Sequence, residues 1–100
     1  MITKTKDPIV ANGTSLRGYV EITYDALVKK FGEPNGLPDT GKQDAEWVLS
    51  TPKGIATIYN YKNGKNYCGE DGLAVWEIEE WNIGGHNDDV VEVIKQALGE

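Results

Sequence analysis

Residues 45–62, AEWVLSTPKGIATIYNYK, decide the fold of this 100-residue chain. Residues 45–50 and residues 55–62 each alternate from one side chain to the next, as half-buried β-strands do. The intervening Thr51-Pro52-Lys53-Gly54 is a turn sequence, so the stretch predicts a β-hairpin. Both faces of the second strand carry residues that can pack, and Tyr59 and Tyr61 lie on the same face. This pattern indicates a central strand with one aromatic face.

A third strand is predicted downstream of the hairpin, over residues 73–83. Its apolar positions are Val75, Trp76, Ile78, Trp81 and Ile83. The alternation changes phase at Glu79-Glu80, where a β-bulge would bring Trp76, Ile78, Trp81 and Ile83 onto one face. A bend at which the chain changes layers would produce the same pattern. We expect Gly84-Gly85 to end this strand.

Two amphipathic helices flank the predicted strands. The first begins after Thr23, a favourable N-cap, and runs to about Phe31, where Gly32 ends it. The second is capped by Asn87 and runs to about Leu98. Each helix carries an apolar stripe at helical spacing and acidic residues in its first turn, which complement the helix dipole.

The remaining segments complete the predicted architecture. Residues 1–8 read as a polar, frayed lead-in, residues 9–11 as a short strand, and residues 35–44 and 62–72 as polar loops. No regular element is assigned to residues 16–22, because Gly18 interrupts them. Strands joined by short links favour antiparallel pairing. We therefore predict a single α+β domain, residues 1–100, with an antiparallel sheet of three to four strands and two helices packed on one face.

The charge of the chain bears on the class of partner. Sixteen acidic and ten basic residues give a formal net charge of −6. This charge disfavours direct binding to nucleic acid or to anionic membranes and favours a partner with a basic surface. No signal-like or membrane-spanning run is present, and a single cysteine fits a reducing compartment. We expect a cytoplasmic protein with no membrane contact, monomeric or homodimeric.

Candidate catalytic residues are few. Cys68 could act as a nucleophile with His86, the one histidine, as its base. However, the sequence around Cys68 matches no nucleophile signature, and a packed or loop thiol and a helix-start histidine are the alternatives. No cysteine or histidine cluster suggests a metal site. We predict no enzymatic activity and no cofactor.

A group of acidic residues lies around the third strand and the last helix. Its members are Glu77, Glu79, Glu80, Asp88 and Asp89. Three interpretations stay open: a solvated surface, an anionic interaction surface that occupies a cationic groove, and a carboxylate pair for glycoside hydrolysis. Hydrolysis also needs a sugar-sized cleft, which a domain this small seldom encloses.

The second candidate surface is the tyrosine-rich segment 58–67. Its site residues are Tyr59, Tyr61, Lys62, Lys65 and Tyr67. Tyrosine supplies rigid contact area, and lysine and asparagine supply directional polar contacts, so the segment suits protein recognition. Stacking on a nucleobase with lysine contacts to a phosphate is a second interpretation. A packed tyrosine strand that runs into a turn is a third.

Several phrases together resemble short uncharacterised proteins of bacteriophage and prophage genomes. They are Thr14-Ser15-Leu16-Arg17-Gly18-Tyr19, Phe31-Gly32-Glu33-Pro34, Ala45-Glu46-Trp47, residues 56–62 and residues 81–85. The resemblance covers most of the chain and carries over no catalytic residues. It implies an inhibitor of host defence of the anti-CRISPR type, which would bind a host protein or nucleoprotein complex. A cyclic-nucleotide sponge, an enzyme and a phage accessory or structural protein are the alternatives.

Overall fold

The computed structural model describes residues 2–36 and 41–99. In these ranges the strands are β1 (Thr3–Lys4), β2 (Ser15–Glu21), β3 (Glu46–Thr51), β4 (Gly54–Tyr59) and β5 (Glu80–Gly85). The α-helices are α1 (Tyr24–Phe31), α2 (Lys65–Cys68) and α3 (Asp89–Ala97), and 3-10 turns occupy Pro8–Ala11, Gly69–Asp71 and Val75–Glu77. The α+β class is confirmed. The predicted three to four strands and two helices are corrected to five strands and three α-helices.

All five strands form one antiparallel sheet in the order β1-β3-β4-β5-β2. The predicted hairpin is confirmed as β3 and β4, with Thr51 opposite Gly54 at its turn. β2 occupies the segment to which no element was assigned. It has a bulge at Arg17, where the register shifts between Leu16 and Gly18. Gly18 is needed for packing, because a Cβ at this position would lie 3.1 Å from Val91 of α3.

One face of the sheet carries the core. Alternate residues of four strands point to this face and are buried, and α1 and α3 pack on them through their own apolar residues. The buried strand residues are Val20, Trp47, Leu49, Ala56, Ile58, Trp81 and Ile83, and the helix residues are Leu27, Phe31, Val90 and Ile94. The two longer helices therefore share one face, as the apolar stripes predicted.

Aromatic contacts lie at the centre of this core. The rings of Trp47 and Trp81 meet edge to face with centroids 5.4 Å apart. The ring of Tyr24 lies 5.7 Å from the first and 6.3 Å from the second. The indole N–H of Trp47 donates to the carbonyl of Gly32 at 2.8 Å, so β3 is tied directly to the end of α1.

The helix boundaries follow local capping. The hydroxyl of Thr23 accepts from the N–H of Ala26 at 3.2 Å, and Gly32 ends α1 in a left-handed conformation with φ +82°. The predicted cap of the last helix is corrected by one residue, because its N-cap is Asp88. The side chain of Asn87 accepts from the N–H of Asp89 at 2.9 Å and so forms a turn just ahead of the helix.

The N-terminal segment differs from its prediction. Thr3 and Lys4, expected to be part of a frayed lead-in, pair with Ser50 and Leu49 of β3. The chain then crosses the second face of the sheet to reach β2 at the far edge, and the 3-10 turn Pro8–Ala11 contacts β3 and β4 on the way. A strand at residues 9–11 is therefore wrong: the side chain of Asp7 accepts from the N–H of Ile9 and starts a turn.

The third strand is shorter than predicted. Residues Val75–Glu77 form a 3-10 turn, and β5 begins at Glu80. The change of phase at Glu79-Glu80 therefore marks the end of a turn, and the predicted bulge is wrong. Trp76 points outward and is 72% exposed, whereas Ile78 is buried. β5 ends at Gly85, so the strand ends within the predicted Gly84-Gly85 pair.

A buried asparagine holds the segment that follows β4. Asn60 is 1% exposed, and its carbonyl oxygen accepts from the backbone N–H groups of Asp44 at 2.8 Å and Ala45 at 3.1 Å. Its amide donates to the carboxylate of Asp44 at 2.9 Å and to the side chain of Asn63 at 3.1 Å. The same carboxylate accepts from the N–H of Asn66 in α2. Part of the predicted polar loop 62–72 is therefore helical. Of the loop predicted at residues 35–44, residues 37–40 lie outside the described residues.

Replacement of Asn60 should destabilise the fold. In Asn60→Ala, the buried N–H of Ala45 and the half-buried polar groups of Asp44 and Asn63 lose their partner, so we expect the free energy of unfolding to fall by about 3 kcal/mol. Urea unfolding followed by tryptophan fluorescence measures this loss. Asn87→Ala, at an exposed position, is the matched control and should cost less than about 1 kcal/mol. Equal losses in the two variants would contradict the role of Asn60.

Candidate functional site

The face of the sheet turned away from α1 and α3 carries a row of polar and aromatic side chains. The strand register places Glu46, Tyr59, Asn82 and Tyr19 side by side across β3, β4, β5 and β2. We call this surface the tyrosine face and define it by Leu16, Tyr19, Tyr59, Tyr61 and Asn82. Leu16, Tyr19 and Tyr61 are 47%, 50% and 44% exposed. These side chains therefore offer apolar area to a partner.

Tyr59 lies at the centre of the tyrosine face. Burial raises its pKa above the ordinary 10.0, the hydrogen bond with Asn82 lowers it, and the nearby Glu46, Tyr19 and Tyr61 raise it. Its ring lies against Gly84 of the neighbouring strand, where a Cβ would be 3.3 Å from the ring carbon Cε1. The same Cβ would clash with the hydroxyl of Thr57, so the glycine leaves space for the side chains of Thr57 and Tyr59.

Lys62 lies between two tyrosines at the border of this face. Its ammonium nitrogen is 5.2 Å from the ring centroid of Tyr61 and 5.3 Å from that of Tyr67, both within cation–π range. Its φ of 60° is left-handed, which costs a non-glycine residue about 1–2 kcal/mol. The backbone N–H of Lys62 donates to the carbonyl of Lys42, and the carbonyl of Lys62 accepts from the thiol of Cys68. These hydrogen bonds connect Lys62 to residues on both sides of it in the loop region.

The structure thus brings together most of the predicted tyrosine-rich site. Tyr59, Tyr61, Lys62 and Tyr67 form a continuous series from β4 to α2. Lys65 does not join them, because its ammonium group donates to the carbonyl of Glu70 at 3.4 Å.

The predicted acidic group is divided between the two ends of β5. Glu79 and Glu80 lie at its start, whereas Asp88 and Asp89 lie beyond its end, at the beginning of α3. The carboxylate of Asp88 is 3.3 Å from the guanidinium of Arg17. The side chain of Glu77 accepts from the N–H of Ala74 at 2.9 Å and closes a 3-10 turn. The five carboxylates therefore do not form one site.

Glu79 and Glu80 instead border the same depression as Glu21, a third glutamate that was not predicted from the sequence. Glu21 of β2 lies opposite Glu80, and the three glutamates border a shallow depression of about 430 Å³ with Ile22 and Thr23. We call Glu21, Glu79 and Glu80 the glutamate end. Glu21 and Glu80 share the sheet face of Tyr19 and Asn82, so the glutamate end continues the tyrosine face.

The missed residues all lie on β2 and β5. Strand pairing over long sequence distances puts Leu16, Tyr19, Glu21 and Asn82 on the same sheet face as Tyr59. A local signal was present, because Tyr19 and Glu21 flank the buried Val20 with strand alternation. Gly18 interrupts this alternation near its start, so the sequence did not predict a strand there.

The candidate catalytic pair is not brought together. Cys68 is exposed and donates to Lys62, beyond the end of β4. His86 follows Gly85, which pairs with Ala56 near the start of β4. The two side chains therefore lie toward opposite ends of β4. Within residues 2–36 and 41–99, no group of three or more His, Cys, Asp and Glu side chains is placed to hold a metal ion.

Comparison with known proteins adds no family. No protein-family model matches the chain, and no curated protein sequence is significantly similar to it. In the described part of the chain, no helix has the length and apolar character needed to cross a bilayer.

The left-handed conformation of Lys62 should have a measurable cost. Lys62→Gly and Lys62→Ala both remove the ammonium group, but alanine keeps the strain that glycine relieves. We expect the glycine variant to be more stable than the alanine variant by about 1 kcal/mol in urea unfolding. The control is the same pair of substitutions at Lys53, whose φ is not in the left-handed region. Equal stabilities of the two Lys62 variants would contradict the expectation.

Tyr59 should titrate above its ordinary pKa of 10.0. The difference between the ultraviolet titration curves of the wild type and Tyr59→Phe isolates its transition, which we expect above pH 10.0. Because the pKa of Tyr59 is higher in the folded state than in the unfolded state, its protonated hydroxyl contributes fully to the free energy of unfolding below pH 10. This contribution is lost as the pH rises through the pKa of the folded state. The free energy of unfolding should therefore fall more steeply in this range for the wild type than for Tyr59→Phe. A transition of Tyr59 below pH 10 would contradict the raised pKa.

Proposed function

We propose that this chain is a non-catalytic interaction protein that binds a basic partner surface through the tyrosine face and the glutamate end. The observation that carries the proposal is the exposure of Tyr19 and Tyr61 on a sheet face turned away from the helices, beside the carboxylates of Glu21 and Glu80. Both candidate surfaces of the sequence analysis contribute residues to this one area.

The chemistry of this area suits arginine and lysine side chains. Tyrosine rings offer rigid contact area and an electron-rich face for a guanidinium group. The glutamates next to them supply acceptors for charge-assisted hydrogen bonds. The net charge of −6 speeds association with a basic partner and weakens it as salt is added. Such a surface binds its partner without performing a reaction.

The partner class that we propose first is a host-defence complex with a nucleic-acid-binding groove. The proposal draws on the resemblance to phage proteins, which implies an inhibitor of the anti-CRISPR type acting in the bacterial cytoplasm. An acidic, aromatic surface can occupy a groove that is built for nucleic acid, because it presents negative charge and stacking groups together. Direct binding of nucleic acid is not part of the proposal.

The test measures binding to purified defence complexes by biolayer interferometry, together with plaque formation on strains that each carry one defence system. We expect salt-sensitive binding to one complex and restored plaque formation on the corresponding strain. Tyr19→Ser with Tyr61→Ser should weaken binding by about 3 kcal/mol, which is ~100-fold. Trp76→Ser is the matched control, since it removes an exposed aromatic side chain from the turn that contacts α1.

Charge is tested separately. Glu21→Gln with Glu80→Gln removes two charges from the site, and Glu33→Gln with Glu92→Gln removes two exposed charges outside it. We expect the first pair to weaken binding and the second to leave it nearly unchanged. The proposal is wrong if the wild type binds no complex and retains no partner from bacterial lysate at low salt. Retention of phage structural proteins alone would favour the accessory role.

A small anionic ligand is the second candidate, and Lys62 between Tyr61 and Tyr67 favours it. A nucleobase could stack on one ring while the ammonium group contacts a phosphate. Calorimetry with a panel of cyclic nucleotides tests this function. A flat response across the panel removes it and leaves the interaction surface.

A further inference from the structure

The edge of the sheet at β2 is open. β2 (Ser15–Glu21) ends the strand order, and its outer side pairs with none of residues 2–36 and 41–99. It is seven residues long, whereas β1 at the other edge has two. An open edge presents unpaired backbone donors and acceptors, so it is the place where another strand can add.

The hydrogen-bond pattern identifies the open groups. The N–H of Ile22 donates to the carbonyl of Glu79 at 2.8 Å, so Ile22 faces β5. Residues of an antiparallel pair alternate between facing the partner strand and facing away from it. The backbone groups of Tyr19 and Glu21 therefore point to the open edge.

The side chains of these two residues belong to the proposed site. Tyr19 lies on the tyrosine face, and Glu21 borders the depression at the glutamate end. A residue paired with either one would place its own side chain on the same sheet face, about 4.5–5.5 Å away between Cβ atoms. An added strand would thus send alternate side chains over the tyrosine face and toward the depression.

We propose that an extended, arginine-bearing segment of the partner adds antiparallel to β2 as a sixth strand, with alternate arginines paired with Tyr19 and Glu21. This inference rests on the proposed function and gives it a binding mode. Main-chain hydrogen bonds to Tyr19 and Glu21 fix the register, and an arginine at the glutamate end binds the carboxylates of Glu21, Glu79 and Glu80.

Charge decides between this occupant and a second copy of the chain. Antiparallel self-pairing about Tyr19 would place Arg17 opposite Glu21 of the second copy. However, Arg17 is the bulged residue, and its guanidinium already donates to the carbonyl of Gly85 at 3.1 Å and to Asp88 at 3.3 Å. Self-pairing would also bring together two chains that each carry a net charge of −6. A basic strand meets no such repulsion.

The experiment uses amide hydrogen exchange of the full chain, followed by NMR, with synthetic peptides as probes. The test peptide alternates Thr and Arg. The control, called the block peptide, has the same composition but carries its Thr residues in one block and its Arg residues in another. At about ten times the dissociation constant of the test peptide, exchange at Tyr19 and Glu21 should slow about tenfold, because only the unbound protein exposes these amides. The amide of Ile22, which is already bonded to Glu79, serves as the internal reference.

N-methylated peptides provide the matched control. The arginines must pair with Tyr19 and Glu21 to share their face, so methylation of arginine backbone nitrogens should abolish the protection. Methylation of threonine nitrogens, which point away from β2, should leave it intact. Glu21→Gln with Glu80→Gln should weaken binding of the test peptide about fivefold. Glu33→Gln with Glu92→Gln should not.

Each other outcome overturns the inference. If the test and block peptides bind equally and the amides of Tyr19 and Glu21 are not protected from exchange, strand addition is wrong. The proposed binding through the charged surface would still hold. Protection that depends on protein concentration without peptide identifies a second copy as the occupant. Binding of neither peptide removes the inference, and the proposed function also fails if no defence complex binds.

Discussion

The contact between the indoles of Trp47 and Trp81 is the interaction on which the rest of the structure depends. Their rings meet edge to face at 5.4 Å across the intervening β4, and Tyr24 brings α1 against both. Aromatic side chains bury about 150–250 Å² each, so this trio supplies much of the apolar area of a small core. Because Trp47 also donates to the carbonyl of Gly32, the same cluster fixes the end of α1 on the sheet.

Packing of both longer helices on the tryptophan face leaves the second face to other parts of the chain. The strand order requires the link from β1 to β2 to cross this second face, and it does so over β3 and β4. The tyrosines lie on the part of β4, β5 and β2 whose side chains remain exposed or half-buried. The proposed binding area is therefore a consequence of topology as well as of composition.

Stability alone does not explain this area. Three glutamates border one depression at the end of β2, and Lys62 is held in a left-handed conformation between two tyrosines. A non-glycine residue with positive φ lowers the stability of a fold. The position of these residues beside the tyrosine face is the physical ground for assigning it to recognition.

Elements whose signals lie within a few residues can be predicted from the chain alone: the β3–β4 hairpin, α1 with Thr23 and Gly32 at its ends, and the apolar stripe of α3. The other elements depend on contacts between distant parts of the chain. β2 became a strand because β5 pairs with it, and this pairing placed Tyr19 and Glu21 beside Asn82 and Glu80. Capping and alternation are local and can be seen in the chain, whereas strand register joins residues far apart in sequence. The proposed site is assembled by that register, so only the folded structure could show it.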